Sequence, residues 1–278
     1  MKGGLWLALW FLASGSEAAS AQTASTPPTP AEPAPVLGTH PIRLELGGYF
    51  HHVDRGLGNW RGLEAQLWIP TNPHFIPVFL VDSQTRPTGT QQTYGFFSYL
   101  NWTDSFYTTQ GFSLSPRRND TAVYFPDQRY DIKAHWKVPP QKNLVLAGGY
   151  TYYDLGSQAH GQIFNVGTIY YHEKLVLEGN VFINRNQPGA LVSASGSLAA
   201  QYGIEGHYWA GVVLSGGREL YQSVSFQPID INFSSYSARA FYRKWLSRHL
   251  GVVVFFDYQD KLEAYRRVGV SSRIFFEF

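Results

Sequence analysis

From residue 42 onward the chain alternates apolar and polar residues with a period of two, in bursts of about ten separated by Gly, Pro, Asn and Asp. Arg129 to Val138 (RYDIKAHWKV) is the clearest burst. Tyr130, Ile132, Ala134, Trp136 and Val138 fall on one face, and Arg129, Asp131, Lys133, His135 and Lys137 on the other. Successive side chains of a strand point to opposite faces, so this pattern is a strand with one dry and one wet side. Ile42 to Phe50 repeats it, with Ile42, Leu44, Leu46 and Phe50 opposite Arg43, Glu45 and Tyr49. No stretch sustains the 3.6-residue period of a helix.

Fourteen such segments can be marked, near 42–53, 60–70, 75–84, 91–103, 105–115, 129–138, 144–154, 162–172, 175–186, 190–202, 205–216, 232–244, 249–259 and 265–278. Merging or losing two of them gives twelve. The connections after even-numbered segments are tight (71–74, 104, 139–143, 173–174, 203–204, 245–248). Three after odd-numbered ones are long (116–128, 155–161, 217–231). Outer-membrane barrels have short periplasmic turns and longer external loops. The segments therefore predict an all-β fold, an antiparallel up-and-down transmembrane barrel of 12–14 strands, over residues 41–278. The main structural rival is a secreted β-sandwich, which would carry a more charged surface.

Composition supports the membrane reading. Charged residues make up only 15% against 16% aromatic and 44% hydrophobic, where soluble domains average about 25% charged. The apolar residues are dispersed, and no run reaches the ~18 residues a helical span needs. A formal charge of +2 predicts no nucleic-acid partner. The absence of Cys excludes disulfides, thiolate metal sites and a lipid-modified Cys. Trp68, Trp102, Trp136 and Trp245 fall near the predicted periplasmic turns, where interfacial aromatics belong, and the strand phase puts only Trp102 and Trp136 on the lipid face.

Two segments precede the barrel. Lys2, the apolar Leu5 to Ala13 and the small residues Ala19, Ser20 and Ala21 predict an export signal over residues 1–21. Residues 22–40 include a Pro/Ala/Thr-rich tract that cannot pack a core and predicts a flexible linker. At the other end, Val268, Val270, Ile274, Phe276 and Phe278 alternate with Arg267, Gly269, Ser271, Arg273 and Glu277. This is similar to the terminal-strand signal of bacterial outer-membrane barrels. Val270, Ile274, Phe276 and Phe278 are thus the candidate signal for the barrel-assembly machinery.

The patches YGFFSYLNW, YFPDQRYDIKAHWKV, LVLAGGYTYYD, FNVGTIYYHEKLVLEGNVFI and YWAGVVLSGGRELY, with the closing IFFEF, resemble in order and spacing the YaiO-like outer-membrane β-barrel family. The resemblance runs from Tyr94 to Tyr221. It implies a location in the bacterial cell outer membrane, with lipid bilayer and lipopolysaccharide as neighbours. It brings no defined activity or site residues, and only a hint of polysaccharide synthesis or export.

The chemistry-bearing residues form no recognised catalytic motif, and no cofactor or metal is predicted. Adjacent His51 and His52 point to opposite faces of a strand and cannot share a metal. His172, Glu173 and Lys174 read as a polar hairpin turn. Ser157 and His160 are the one Ser–His pair resembling the external-rim dyads of outer-membrane lipid hydrolases. The predicted lumen is more informative. Its inward basic residues are Arg43, Arg129, Lys133, Lys137, Arg239, Arg243, Arg267 and Arg273. Its inward acids are Glu45, Glu64, Asp131, Glu178, Asp257 and Glu277. Rings of Arg and Lys favour anions in pores, and Phe241, Phe255 and Phe275 offer sugar-stacking surfaces. The same charges would equally form salt-bridged networks filling a narrow barrel.

Three functions remain open at this stage. One is a channel or export component for a small anionic or sugar-like solute. Another is a non-transporting structural or interaction barrel, whose binding loops would carry Arg117, Arg118, Tyr124, Phe125, Arg218, Tyr221 and Phe226. The third is a lipid-acting hydrolase.

Overall fold

The structure is a computed structural model that describes residues 8–9, 32–33, 41–116, 125–140, 142–156, 160–187, 189–222, 229–262 and 264–278. Apart from the short antiparallel pairing of Ala8–Leu9 with Glu32–Pro33, the predicted export signal and linker lie outside the described residues.

Fourteen strands close into one barrel. They are β1 (Arg43–Val53), β2 (Gly58–Trp68), β3 (Phe75–Arg86), β4 (Gly89–Asn101), β5 (Phe106–Leu114), β6 (Gln128–Lys137) and β7 (Leu144–Asp154), then β8 (His160–His172), β9 (Leu175–Gln187), β10 (Leu191–Ile204), β11 (Tyr208–Gln222), β12 (Ile229–Trp245), β13 (Leu250–Lys261) and β14 (Tyr265–Glu277). Each pairs antiparallel with its chain neighbours. β14 returns to β1 in the register Glu277↔Arg43 through Arg267↔Val53, so no backbone edge is left facing hydrocarbon. The count is fourteen, the upper value of the predicted range.

Alternation sorts the side chains as the pattern requires. The outer face is apolar at mid-height, with Leu63, Val166, Val181, Leu198 and Phe256 all more than half exposed. Aromatics ring both borders of this band. Tyr94, Tyr130, Tyr236 and Tyr258 lie toward one rim, and Trp102, Trp136, Tyr202, Tyr242 and Phe278 toward the other. Two girdles around an apolar band are the signature of a barrel seated in a bilayer. Both ends of the barrel chain lie at the second rim, with the turns 69–74, 102–105, 138–143, 173–174, 205–207 and 246–249. We call this rim lower and the other upper.

The predicted contrast in loop length is reduced. Of the long upper loops, 115–127 remains. β8 takes in His160 and Gly161 from the predicted segment 155–161, and β11 and β12 take in residues 217–222 and 229–231 from the predicted segment 217–231. β11 and β12 keep pairing past Gly217↔Ser235, through an irregularity between Glu219 and Tyr221, to Gln222↔Ile229. A two-stranded ribbon satisfies its own backbone groups, so pairing continues past the point where the side-chain alternation stops being informative. Arg218 and Tyr221 consequently belong to a strand rather than a loop.

Candidate functional site: the barrel interior

The inward positions form two storeys. The lower one is apolar and aromatic. Ile76, Val78, Leu80, Phe97, Tyr99, Tyr107, Val145, Ile169, Val176, Trp209, Trp245, Val253, Phe255 and Phe275 make one buried cluster, with Trp68, Tyr171 and Phe241 packed against it. All come from the lower halves of their strands. Trp68 stacks on Tyr99 with centroids 6.0 Å apart, and Trp245 meets Phe275 edge-on at 5.2 Å. His135 lies flat on Tyr107 at 4.3 Å. Inside a barrel, such rings act as a plug.

Charges are threaded through this storey on the side of β12, β13, β14, β1 and β2. Arg243 donates to Glu45 at 2.9 Å, although β13 and β14 separate their strands. The contact is a chord across the lumen, not a neighbour contact along the wall. Arg273 grips Glu64 with Nε and Nη2 at 2.6 and 2.8 Å and reaches Glu45 at 3.5 Å. Arg43 bonds Glu277 at 2.9 Å and approaches Glu45 at 3.8 Å and Glu205 at 3.7 Å. Arg239 pairs with Asp257, and Trp245 donates its indole N–H to Glu277 at 3.2 Å. The guanidiniums also lie near rings, as Arg243 does at 5.0 Å from Phe275. Buried charges persist only when paired in this manner.

Glu205, in the lower turn, accepts from the Trp209 indole at 3.2 Å. Burial pushes its carboxyl above the usual range, against the lowering pull of Arg43 and Arg243.

The upper storey is mixed: polar and charged side chains share it with the buried Val53–Trp60–Tyr265 cluster, Phe125 and Leu155. On one side, Arg86 lies 3.6 Å over Trp60, Arg267 5.8 Å from the same ring, and Lys261 5.3 Å from Tyr265. Tyr49 crosses to β3, donating to Asp82 at 3.1 Å and accepting from Gln84 at 3.1 Å. Close approach is possible because the ring of Tyr49 lies over Gly62 and that of His51 against Gly269. On the other side, β9 and β10 carry neutral amides and hydroxyls.

Each predicted lumen residue occupies an inward position. Arg43, Lys133, Lys137, Arg239, Arg243, Arg267 and Arg273 are buried, and Arg129 is half-buried beside Asp131 at 2.9 Å. Lys133 donates to Asn180 at 3.3 Å, and Lys137 to the Asp104 carbonyl at 2.8 Å. The cations do not form one ring. Five of them are bound to carboxylates, so most of the field that would attract an anion is neutralised where it arises. Phe255 and Phe275 are 4% and 0% exposed. They belong to the lower plug and offer no face to a sugar.

Other candidates disperse. His51 is buried and stacked on Tyr49, whereas His52 points outward to Asn59 at 3.0 Å, as alternation requires. His172, Glu173 and Lys174 close the β8–β9 hairpin. Ser157, Arg117, Arg118, Tyr124 and Phe226 lie outside the described residues. His160 opens β8 exposed, its ring 6.3 Å from Tyr152 on the outer face. Phe125 is not a surface anchor: it is fully buried, and its backbone is held by the Gln91 amide at 2.9 and 3.3 Å. Val270, Ile274, Phe276 and Phe278 all face outward, 43%, 48%, 37% and 70% exposed.

Asp82 and the inward rings of Tyr107 and Trp209 were not singled out from the sequence. Both were marked by phase: Asp82 continues the inward series Ile76, Val78, Leu80, and Tyr107 and Trp209 alternate in step with inward polar neighbours.

A closed, antiparallel fourteen-strand barrel with an apolar belt and two aromatic girdles is a bacterial outer-membrane β-barrel. The family model described as the YaiO membrane beta barrel domain matches residues 42–222, and the chain belongs to that family. A search of curated protein sequences gives no match. Among solved structures, the fold is similar to a bacterial polysaccharide outer membrane secretin, with TM-score 0.55 and 7% identity, covering 87% of this chain and 100% of that one. It is also similar to an outer membrane channel from Pseudomonas putida F1, with TM-score 0.54 and 10% identity, covering 89% and 99%. At these identities the likeness is one of fold.

Proposed function

We propose that this outer-membrane barrel is a channel for small, sugar-like polar solutes, closed in its resting form at the periplasmic rim. The two-storey interior carries the reading. The upper storey carries buried amides, hydroxyls and charges, and the lower storey is filled by the Trp68–Trp245–Phe275 cluster and the Arg243–Glu45 chord. A purely structural barrel has no need of a polar upper half with buried amides and hydroxyls. The paired state of the arginines supports neutral cargo over anionic cargo. The channel and the polysaccharide secretin with similar folds belong to the same broad class.

The filled lower storey is also the observation that favours a second reading, a non-transporting barrel. One experiment separates them. Native protein in planar bilayers is expected to show rare or small openings. Trp245→Ala combined with Arg243→Ala removes the plug and the chord, and is expected to raise conductance at least tenfold. If both proteins are silent under every voltage, the channel reading fails and the structural reading stands.

Two partners follow from the outer surface. Arg61, Arg185 and Arg218 are exposed toward the upper rim, which supports contact with the phosphates of lipopolysaccharide. The outward Val270, Ile274, Phe276 and Phe278 support recognition of β14 by the barrel-assembly machinery.

A further inference from the structure

Resting on the channel reading for its biological use, we infer that the upper storey holds a binding site for an uncharged, hydroxyl-rich ligand, an oligosaccharide, on β9 and β10 around Phe182. Three observations meet there. Asn184 and Asn186 on β9, and Ser193, Ser195 and Ser197 on β10, all point inward and are buried to between 2% and 7% exposure. They adjoin one another: Asn184 pairs with Ser193, and Phe182 with Ser195. Their hydrogen-bonding capacity is only half used.

The used half fixes the geometry. The Asn184 amide donates to Ser193 Oγ at 3.3 Å, and Tyr153 donates its hydroxyl to Asn186 Oδ1 at 2.5 Å. Four buried polar atoms then have no hydrogen-bond partner: Asn184 Oδ1, Asn186 Nδ2, Ser195 Oγ and Ser197 Oγ. Buried polar atoms are ordinarily satisfied, and a cluster of exceptions calls for a cause. The four make one acceptor, one donor and two hydroxyls that serve as either, successive inward positions along each strand lying about 7 Å apart, with Ser195 opposite Phe182 and Asn186 at the upper end of the row. An oligosaccharide presents hydroxyls, each donor and acceptor, along a chain of several rings.

Charge narrows the ligand. The inward side chains of β9 above Asn180 and of β10 from Ser193 to Ser197 are all neutral, and the bordering Lys133 and Glu178 are both tied to Asn180 at 3.3 and 2.8 Å, so the patch carries no net charge of either sign. Phe182 supplies the remaining component. It faces inward at the centre of the patch yet is only half-buried, unlike Asn180 and Asn184 on either side. An aromatic face bordered by a few fixed polar groups is the usual make-up of a small-ligand site, and it accepts the C–H face of a pyranose. A site whose buried groups demand hydroxyls rejects ligands that lack them.

The test uses the full barrel in a detergent free of sugar headgroups, with titration calorimetry as readout and maltotriose, chitotriose and trigalacturonate as probes. At least one of the two uncharged trisaccharides is expected to bind, and trigalacturonate at least tenfold more weakly. Ser195→Ala/Ser197→Ala is expected to weaken binding at least tenfold without lowering the melting temperature, since each hydroxyl removed was unsatisfied. Phe182→Leu, which keeps the bulk and removes the ring, is expected to weaken it as well.

The site is refuted if neither uncharged trisaccharide binds the folded barrel, if trigalacturonate binds as tightly, or if the serine variants bind unchanged. Binding in micelles does not require conduction. A barrel that binds and stays silent in bilayers loses only the channel reading, whereas one that conducts without binding loses only this site.

Discussion

Glu45 is the carboxylate on which the lower ionic network converges, with Arg243 at 2.9 Å, Arg273 at 3.5 Å and Arg43 at 3.8 Å. Glu45→Gln keeps the shape and removes the charge. Arg43 then retains Glu277, and Arg273 retains Glu64, so the loss falls mainly on Arg243. Breaking a buried pair by neutralising one partner costs about 3–5 kcal/mol. With two of the three arginines still held, the lower end, about 3 kcal/mol, is expected. Replacing both members by well-packed neutral groups is often neutral, so Glu45→Gln/Arg243→Met should recover most of that loss. Reversible urea unfolding in lipid vesicles, followed by tryptophan emission, gives the four corners of the double-mutant cycle. The account fails if the single variant costs under about 1 kcal/mol, or if the double variant is as unstable as the sum of its singles.

Other perturbations test other parts of the barrel. The His51 ring lies so close to Gly269 that an added Cβ would overlap it. Gly269→Ala should therefore cost about 1–3 kcal/mol, rescued by His51→Ala, and equal instability of both proteins on unfolding would refute the contact. Val166 faces lipid at mid-height, paired with Val181 and 68% exposed. Val166→Arg should cost about 2–4 kcal/mol in vesicles but little in a detergent micelle, and an equal cost in both would place the residue elsewhere. Phe278 donates its backbone N–H to the Ile42 carbonyl at 2.9 Å at the closing seam. Deleting Phe278 should lower the yield of heat-modifiable barrel in cells more than it lowers refolding in vitro, and an equal effect on both would leave no part for the assembly machinery.

The barrel was legible because a period of two is a local property. RYDIKAHWKV states the direction of each side chain without reference to any other strand, and closure of the sheet follows from the impossibility of an open edge in lipid. The polar and charged half of the lumen was legible for the same reason: Arg43, Glu45, Arg243 and Arg273 sit on the phase opposite to the lipid-facing residues. Their roles were not. A lone sequence shows that Arg243 points inward, but not that Glu45, nearly two hundred positions away, meets it across the lumen. Phe275 and Phe255 likewise read as inward rings, and only their neighbours show that the rings fill a plug instead of lining a path. The loop of 217–231 was misjudged because strand pairing above the membrane rests on backbone hydrogen bonds, which leave no side-chain rhythm.

By itself the sequence determined where most side chains of the regular strands point, that the chain is a membrane barrel, and the family to which it is similar. These depend on alternation and composition, which survive any folding of the strands around one another. The tertiary structure alone decided which inward residues meet. It paired most of the inward charges with opposite charges, stacked the lower half with aromatics, and left a neutral amide and hydroxyl wall in the upper half. Those outcomes depend on barrel circumference and strand stagger, which set the reach of a side chain across the lumen.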